Sequence, residues 1–150
     1  MYATDLKIDQ VNEKKYIEFL LAIDKEIFEN SWSKQQWVSE FENSFVLIYL
    51  MNIEEKHAGF MSVSVVDQVL EIRKIGILPA YQRQGLASVF MNKIYELCRE
   101  KEIKKIILEV NEKNRPAVLF YEKNGFQIFH QRRNYYAQNQ NAVCMQNTVE

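Results

Sequence analysis

The stretch Tyr81-Gln82-Arg83-Gln84-Gly85-Leu86-Ala87 stands between a short apolar segment and a long amphipathic one, and its reading decides the fold. A turn of small residues there opens a helix at the end of a strand. Backbone N–H groups at a helix start lack intrahelical partners, and the positive end of the helix dipole lies behind them, so together they form a cradle for a pyrophosphate. Gly85 and Ala87 keep side chains out of the way and let the backbone approach a ligand closely.

Downstream lies a second block with long, irregular spacing: Leu108-Glu109-Val110, Asn114-Arg115-Pro116-Ala117 and Tyr121-Glu122-Lys123-Asn124-Gly125-Phe126. Ile106, Ile107, Leu108 and Val110 predict a buried strand that Glu109 interrupts. Asn114 can cap a helix beginning at Pro116, and Gly125 can take the left-handed conformation that stops it.

Working outward, Val11, Phe19, Leu20, Ile23 and Ile27 recur at helical spacing and predict a first helix over 11–28. Ser33 and Gln36 match a capping box, opening a second helix to Phe41. Strands are expected over 44–53, 57–67 and 69–77 as an antiparallel meander, with Pro79 ending the third. A helix over 86–101 follows, then strands at 104–110, 126–133 and 142–148 around a last helix at 116–123. The helical crossover predicts that the strands at either end of the unit from Leu70 to Val110 pair in parallel.

The chain has 150 residues, 47% hydrophobic and 26% charged, the values of one soluble domain spanning 1–150 with its own core. Its 19 basic and 20 acidic residues leave a net charge of -1, so no global field draws in nucleic acid, and an anionic ligand must be held locally. The opening Met1-Tyr2-Ala3-Thr4-Asp5-Leu6-Lys7 lacks an apolar signal-peptide stretch, and the longest apolar run, Phe45 to Met51, is too short for a bilayer. A cytoplasmic protein without a membrane partner or metal site is expected. Cys98 and Cys144 fit that compartment as reduced thiols. Cys98 shares a helical face with Leu86, Phe90, Ile94 and Leu97, which reads as core. His57 and His130 fall at strand borders and are read as structural.

The two blocks together resemble the acetyl-coenzyme A core of the GCN5-related N-acetyltransferase (GNAT) superfamily. Asn30-Ser31-Trp32-Ser33 and Arg132-Arg133-Asn134-Tyr135-Tyr136 are similar to the RimI-type ribosomal-protein alanine N-acetyltransferases, and the resemblance covers residues 28–146. It implies an α/β (α+β) fold: a mixed, mostly antiparallel central sheet of about six or seven strands with about four flanking helices. By the same resemblance, the parallel pair splays apart at Ile72 to Ile77 and Ile106 to Val110, and the coenzyme's pantetheine arm lies in the gap. Main-chain groups of Ile75, Gly76 and Ile77 would pair with that arm. Gln82, Arg83, Gln84, Gly85, Leu86 and Ala87 would cradle the pyrophosphate, and Asn114 would meet the pantetheine amides or simply cap its helix. Arg83 and Arg115 are candidates for the coenzyme phosphates. The chain departs from the RimI-type pattern at Ala87, Asn111 and Asn141.

The implied reaction moves an acetyl group from acetyl-CoA to the N-terminal amine of a ribosomal protein in a ternary complex. A lysine or small-molecule acceptor is the alternative, and a coenzyme-binding regulator without turnover a more distant one. Glu109 matches the family's base, and a carboxylate in an otherwise apolar strand is suited to collect a proton directly or through water. Tyr121 matches the acid, since a phenol of ordinary pKa about 10 can protonate a departing thiolate of about 8.5. Trp32, Asn134, Tyr135 and Tyr136 are the candidates to wall the groove for the acceptor.

Overall fold

A computed structural model describes residues 5–149; of the opening segment read above, Met1 to Thr4 lie outside the described residues. The strands β1 (Leu6–Val11), β2 (Val46–Ile53), β3 (Lys56–Val66), β4 (Val69–Ile77), β5 (Lys105–Asn111), β6 (Gln127–Ala137) and β7 (Gln140–Thr148) form one sheet. Its order is β1-β2-β3-β4-β5-β7-β6, and every pairing is antiparallel except β4 with β5. Four helices complete the fold: α1 (Ile17–Ile27), α2 (Lys34–Glu42), α3 (Leu86–Glu100) and α4 (Arg115–Lys123).

The apolar runs of β2 and β3 are continuous because both faces of the sheet are covered. Ile48, Leu50 and Phe60 pack with Leu20, Ile23 and Trp37 of α1 and α2. Their neighbours Tyr49, Met51, Met61 and Val63 pack on the opposite face with Leu86, Phe90 and Ile94 of α3 and Val118 and Tyr121 of α4. Cys98 belongs to this second core at 1% exposure, in the apolar role its helical position predicts.

One expectation fails. The segment 11–28 is not a single helix, because Val11 ends β1, which pairs antiparallel with β2, and a 3-10 turn at Lys14–Tyr16 separates it from α1. Leu6 and Ile8 alternate with Lys7 and Asp9, a strand period that the helical spacing beginning at Val11 overrode. The last hairpin is also longer than expected, so Asn134, Tyr135 and Tyr136 lie within β6 rather than in a loop before β7.

The parallel pair carries the site. Register between β4 and β5 runs only from Val69↔Lys105 to Ile72↔Leu108. Beyond it β4 stays paired with β3 as far as Gly59↔Ile77, while β5 stays paired with β7 to Asn111↔Ala142, so the two inner strands part. The departure begins at a bulge. Ser62 faces Lys74 and Val63 faces Ile72, which leaves Arg73 as the extra residue of β4. As a result Arg73 and Lys74, adjacent in sequence, both reach the α1–α2 side: Arg73 binds Glu40 of α2 through Nε (2.7 Å) and Nη2 (2.6 Å), and Lys74 Nζ stands 2.7 Å from Asp24 of α1.

Candidate active site

A cavity of about 470 Å³ occupies the gap where β4 and β5 separate. One wall is β4 (Ile72 to Ile75), the other β5 (Leu108 to Asn111), and α4 contributes Ala117 and Tyr121, with its cap Asn114, at the edge. The α1–α2 connection supplies Phe28, Glu29, Asn30 and Trp32, and the last hairpin supplies Tyr136 and Gln140. Residues far apart in the chain thus converge: Trp32, Ile75, Glu109, Asn114, Tyr121 and Tyr136 of the sequence-derived candidates all line this one space. Gly76, Ile77 and the loop from Gln82 to Ala87 lie outside its lining, as do Asn134 and Tyr135.

Glu109 is not the isolated carboxylate its apolar flanks suggest. Its Oε1 lies 3.3 Å from Arg132 Nη2 of β6, while Oε2 is buried and accepts no hydrogen bond. The strand order β5-β7-β6 makes this pairing possible, with Cys144 of β7 directly opposite Glu109. Cys144 is 4% exposed, and burial, followed by the Glu109 charge, pushes its thiol up.

Tyr121 sits on the buried side of α4 at 9% exposure, edge-on to Phe120 and Phe126. Burial drives its hydroxyl well above the ordinary tyrosine value. Tyr136 is pushed up to about 12, by burial first and then by the Glu109 carboxylate. Both phenols therefore hold their protons through the physiological range. Asn114 caps α4, its Oδ1 accepting from the Ala117 N–H at 3.3 Å, and Gly125 closes that segment at φ +93°.

Beyond the cavity, Gly85 is the N-cap of α3 at φ +76°, and a Cβ built there meets nothing within 4 Å. Among the described residues no main-chain carbonyl takes the N–H groups of residues 84–87. These open donors at the head of a 15-residue helix fit a coenzyme pyrophosphate. Gln82 ties the loop to the sheet, its Nε2 donating to the Ile77 carbonyl at 2.9 Å.

Two features escaped the sequence. Lys74 lines the cavity although its side chain is only 10% exposed, with its ammonium 4.6 Å from the Phe28 ring centre and 4.8 Å from that of Trp32. Burial lowers its pKa, and Asp24 partly restores it. Arg73 also lines the cavity, held by Glu40 and, at 3.1 Å, by Glu71. Only the bulge brings both side chains there, and a bulge leaves no composition signal. The described residues contain no group of three or more His, Cys, Asp or Glu placed to hold a metal ion, and no helix long and apolar enough to cross a membrane.

A mixed sheet split at its parallel pair, with a donor-rich helix start beside the split, fits a coenzyme A-dependent acyltransferase, and the chain belongs to the acetyltransferase (GNAT) family, whose model matches residues 16–126. It is an acetyl-CoA-dependent N-acetyltransferase. Among its relatives is a putative ribosomal protein bS18-alanine N-acetyltransferase of Bacillus subtilis, 31% identical over 135 residues that make up 89% of each chain. The ribosomal protein bS18-alanine N-acetyltransferase of Escherichia coli is 30% identical over 105 residues, 70% of each chain. In structure the chain is similar to the Escherichia coli ribosomal-protein-S18-alanine N-acetyltransferase, with a TM-score of 0.89 at 24% identity over 97% of this chain and 94% of that one. Arabidopsis thaliana Naa50, solved with a bisubstrate analogue, superposes with a TM-score of 0.83 at 19% identity, covering 97% of this chain and all of the other.

Proposed function

We infer that the enzyme acetylates the N-terminal α-amine of a ribosomal protein by direct attack within a ternary complex. The observation that carries this reading is the convergence of Glu109 and Tyr121 on one cavity that Trp32 and Tyr136 also line. The coenzyme supplies an acetyl thioester. The loop from Gln82 to Ala87 would hold its pyrophosphate, and the strand edges at Ile75 to Ile77 its pantetheine arm. Glu109 Oε2, unpartnered in the cavity wall, accepts the proton released by the attacking amine, directly or through a water. Tyr121, which keeps its proton, donates a hydrogen bond that stabilises the departing thiolate, and the proton taken from the amine balances the reaction. Direct transfer is supported by the presence of a proton acceptor, Glu109, and a proton-bearing phenol, Tyr121, on the same cavity. The ribosomal acceptor is supported by the names of the bacterial relatives.

Proton affinity separates acceptor classes. An α-amine of pKa about 8 is mostly neutral by pH 9, whereas a lysine of about 10.4 is still mostly charged. Glu109→Gln should therefore slow acetylation of a ribosomal N-terminal peptide at pH 7 and lose much of that defect near pH 9. Wild-type preference for an internal lysine in a blocked-terminus peptide would overturn the α-amine assignment, and identical pH profiles for wild type and variant would remove Glu109 from the reaction.

A further inference from the structure

The last hairpin is irregular where it meets the cavity. β6 and β7 keep register through Gln131↔Val143 and Arg132↔Ala142 and resume it at Ala137↔Gln140, so the four residues Arg133 to Tyr136 face a single residue of β7, Asn141. A bulge bends its strand and re-aims the side chains it carries, and bulges collect beside active sites for that reason. This one carries Tyr136, which lines the cavity with its ring edge-on to Tyr135 at 5.1 Å.

The bulge is pinned from inside. Asn141 Oδ1 accepts from the Asn134 N–H at 2.8 Å. Asn134 sits at φ +52°, and its own Oδ1 accepts from the Asn139 N–H of the hairpin turn at 2.7 Å. Asn141 Nδ2 donates to Glu112 Oε1 at 2.9 Å, and the Glu112 N–H donates to the Asn141 carbonyl at 2.9 Å. Glu112 Oε2 accepts from Gln131 Nε2 of β6 at 2.7 Å. One carboxylate just past the end of β5 thus holds both strands of the hairpin, an oxygen to each.

Every residue of β6 is exposed, so the pinned segment covers no core, and core packing does not account for the network. Neither Glu112 nor Asn141 lines the cavity, but their chain neighbours Asn111 and Gln140 do. We propose that Glu112 and Asn141 are positioning residues for the acetyl transfer: they fix the bulge, and the bulge fixes Tyr136 as a wall against the acceptor. This rests on the reading above that the acceptor enters the cavity beside Tyr136. Both residues act through Tyr136 rather than on the reacting atoms.

Asn141→Asp keeps an acceptor for the Asn134 N–H but sets a second carboxylate against Glu112, and like charges at hydrogen-bond distance repel. At about pH 8, where carboxylates are ionised, KM for a free-terminus peptide beginning with alanine should rise on the order of tenfold, the low end for losing a hydrogen bond to a charged group. KM for acetyl-CoA should be nearly unchanged. Adding Glu112→Gln supplies an amide donor to the new carboxylate, so the double variant should recover the wild-type acceptor KM, which general damage to the fold would not do. Amide exchange at Asn134 to Tyr136 should quicken in Asn141→Asp and slow again in the double variant. In a Tyr136→Ala background Asn141→Asp should add little further, because both changes remove the same wall. An unchanged acceptor KM in Asn141→Asp, no recovery in the double variant, or a full additional defect in the Tyr136→Ala background would overturn the positioning role and leave the α-amine reading standing. An acceptor KM unmoved by Tyr136→Ala alone would remove Tyr136 from the wall and the positioning role with it. If the wild type acetylates only an internal lysine of a blocked-terminus peptide, the α-amine reading falls, and the same KM comparison on that peptide decides the positioning role.

Discussion

In the proposed reaction Tyr121 and Glu109 would carry opposite tasks, and their surroundings differ. Tyr121 lies among aromatic rings where a phenolate is disfavoured, whereas Glu109 has an arginine on one oxygen and nothing on the other. Tyr121→Phe removes one hydroxyl from a well-packed site. Turnover should fall on the order of 10²-fold with the KM for acetyl-CoA nearly unchanged, and steady-state kinetics would return Tyr121 to a packing role if kcat stayed near normal. That both stand on one cavity was legible in the sequence through the resemblance of the block that carries them. The partner of Glu109 was not: Arg132 reaches it only through the strand order β5-β7-β6, which no local pattern encodes.

Among the elements, α3 is the clearest case of a local rule shaping the proposed coenzyme loop. Gly85 is held at a positive φ with open space where a side chain would go, so two substitutions separate strain from charge. Gly85→Ala adds only the backbone penalty of about 1 kcal/mol for a left-handed non-glycine residue. Gly85→Glu adds the same strain together with a negative charge at the helix start. Melting temperatures of the two variants should fall about equally, while calorimetry should find coenzyme affinity lower in the Glu variant by on the order of tenfold or more. Equal affinities would remove the loop from coenzyme binding. Elements with a strong local signature were readable in advance: the capping box of Ser33 and Gln36 is present at α2, and the Asn114 cap and Gly125 stop bound α4. Strand β1 was missed because its Val11 also fits the helical series that begins there, and two overlapping periods cannot be separated without knowing that β2 has a free edge to pair.

At the scale of the whole molecule, stability acquires a pH dependence remote from the site. His57 on β3 packs against Phe19 at 4.1 Å between ring centres, and burial lowers its pKa below the ordinary 6.5. The unfolded chain then takes up a proton before the folded one does, so stability is complete above about pH 6.5 and declines as pH falls from there toward the folded-state value. Between pH 7.5 and 5 the wild type should lose melting temperature more steeply than His57→Gln, and parallel curves would show that His57 does not contribute. The split between β4 and β5 has a different thermodynamic meaning. Each strand is anchored by its outer neighbour, yet their inner edges beyond Ile72 and Leu108 form no ladder with each other. The sheet is thus left one rung set short, and a substrate arm threaded through it would serve as the missing strand. Acetyl-CoA would then act as a removable piece of secondary structure: its arrival should slow amide exchange on both sides of the seam at once, and the departure of the product coenzyme A after each turnover should return the enzyme to its loosest state.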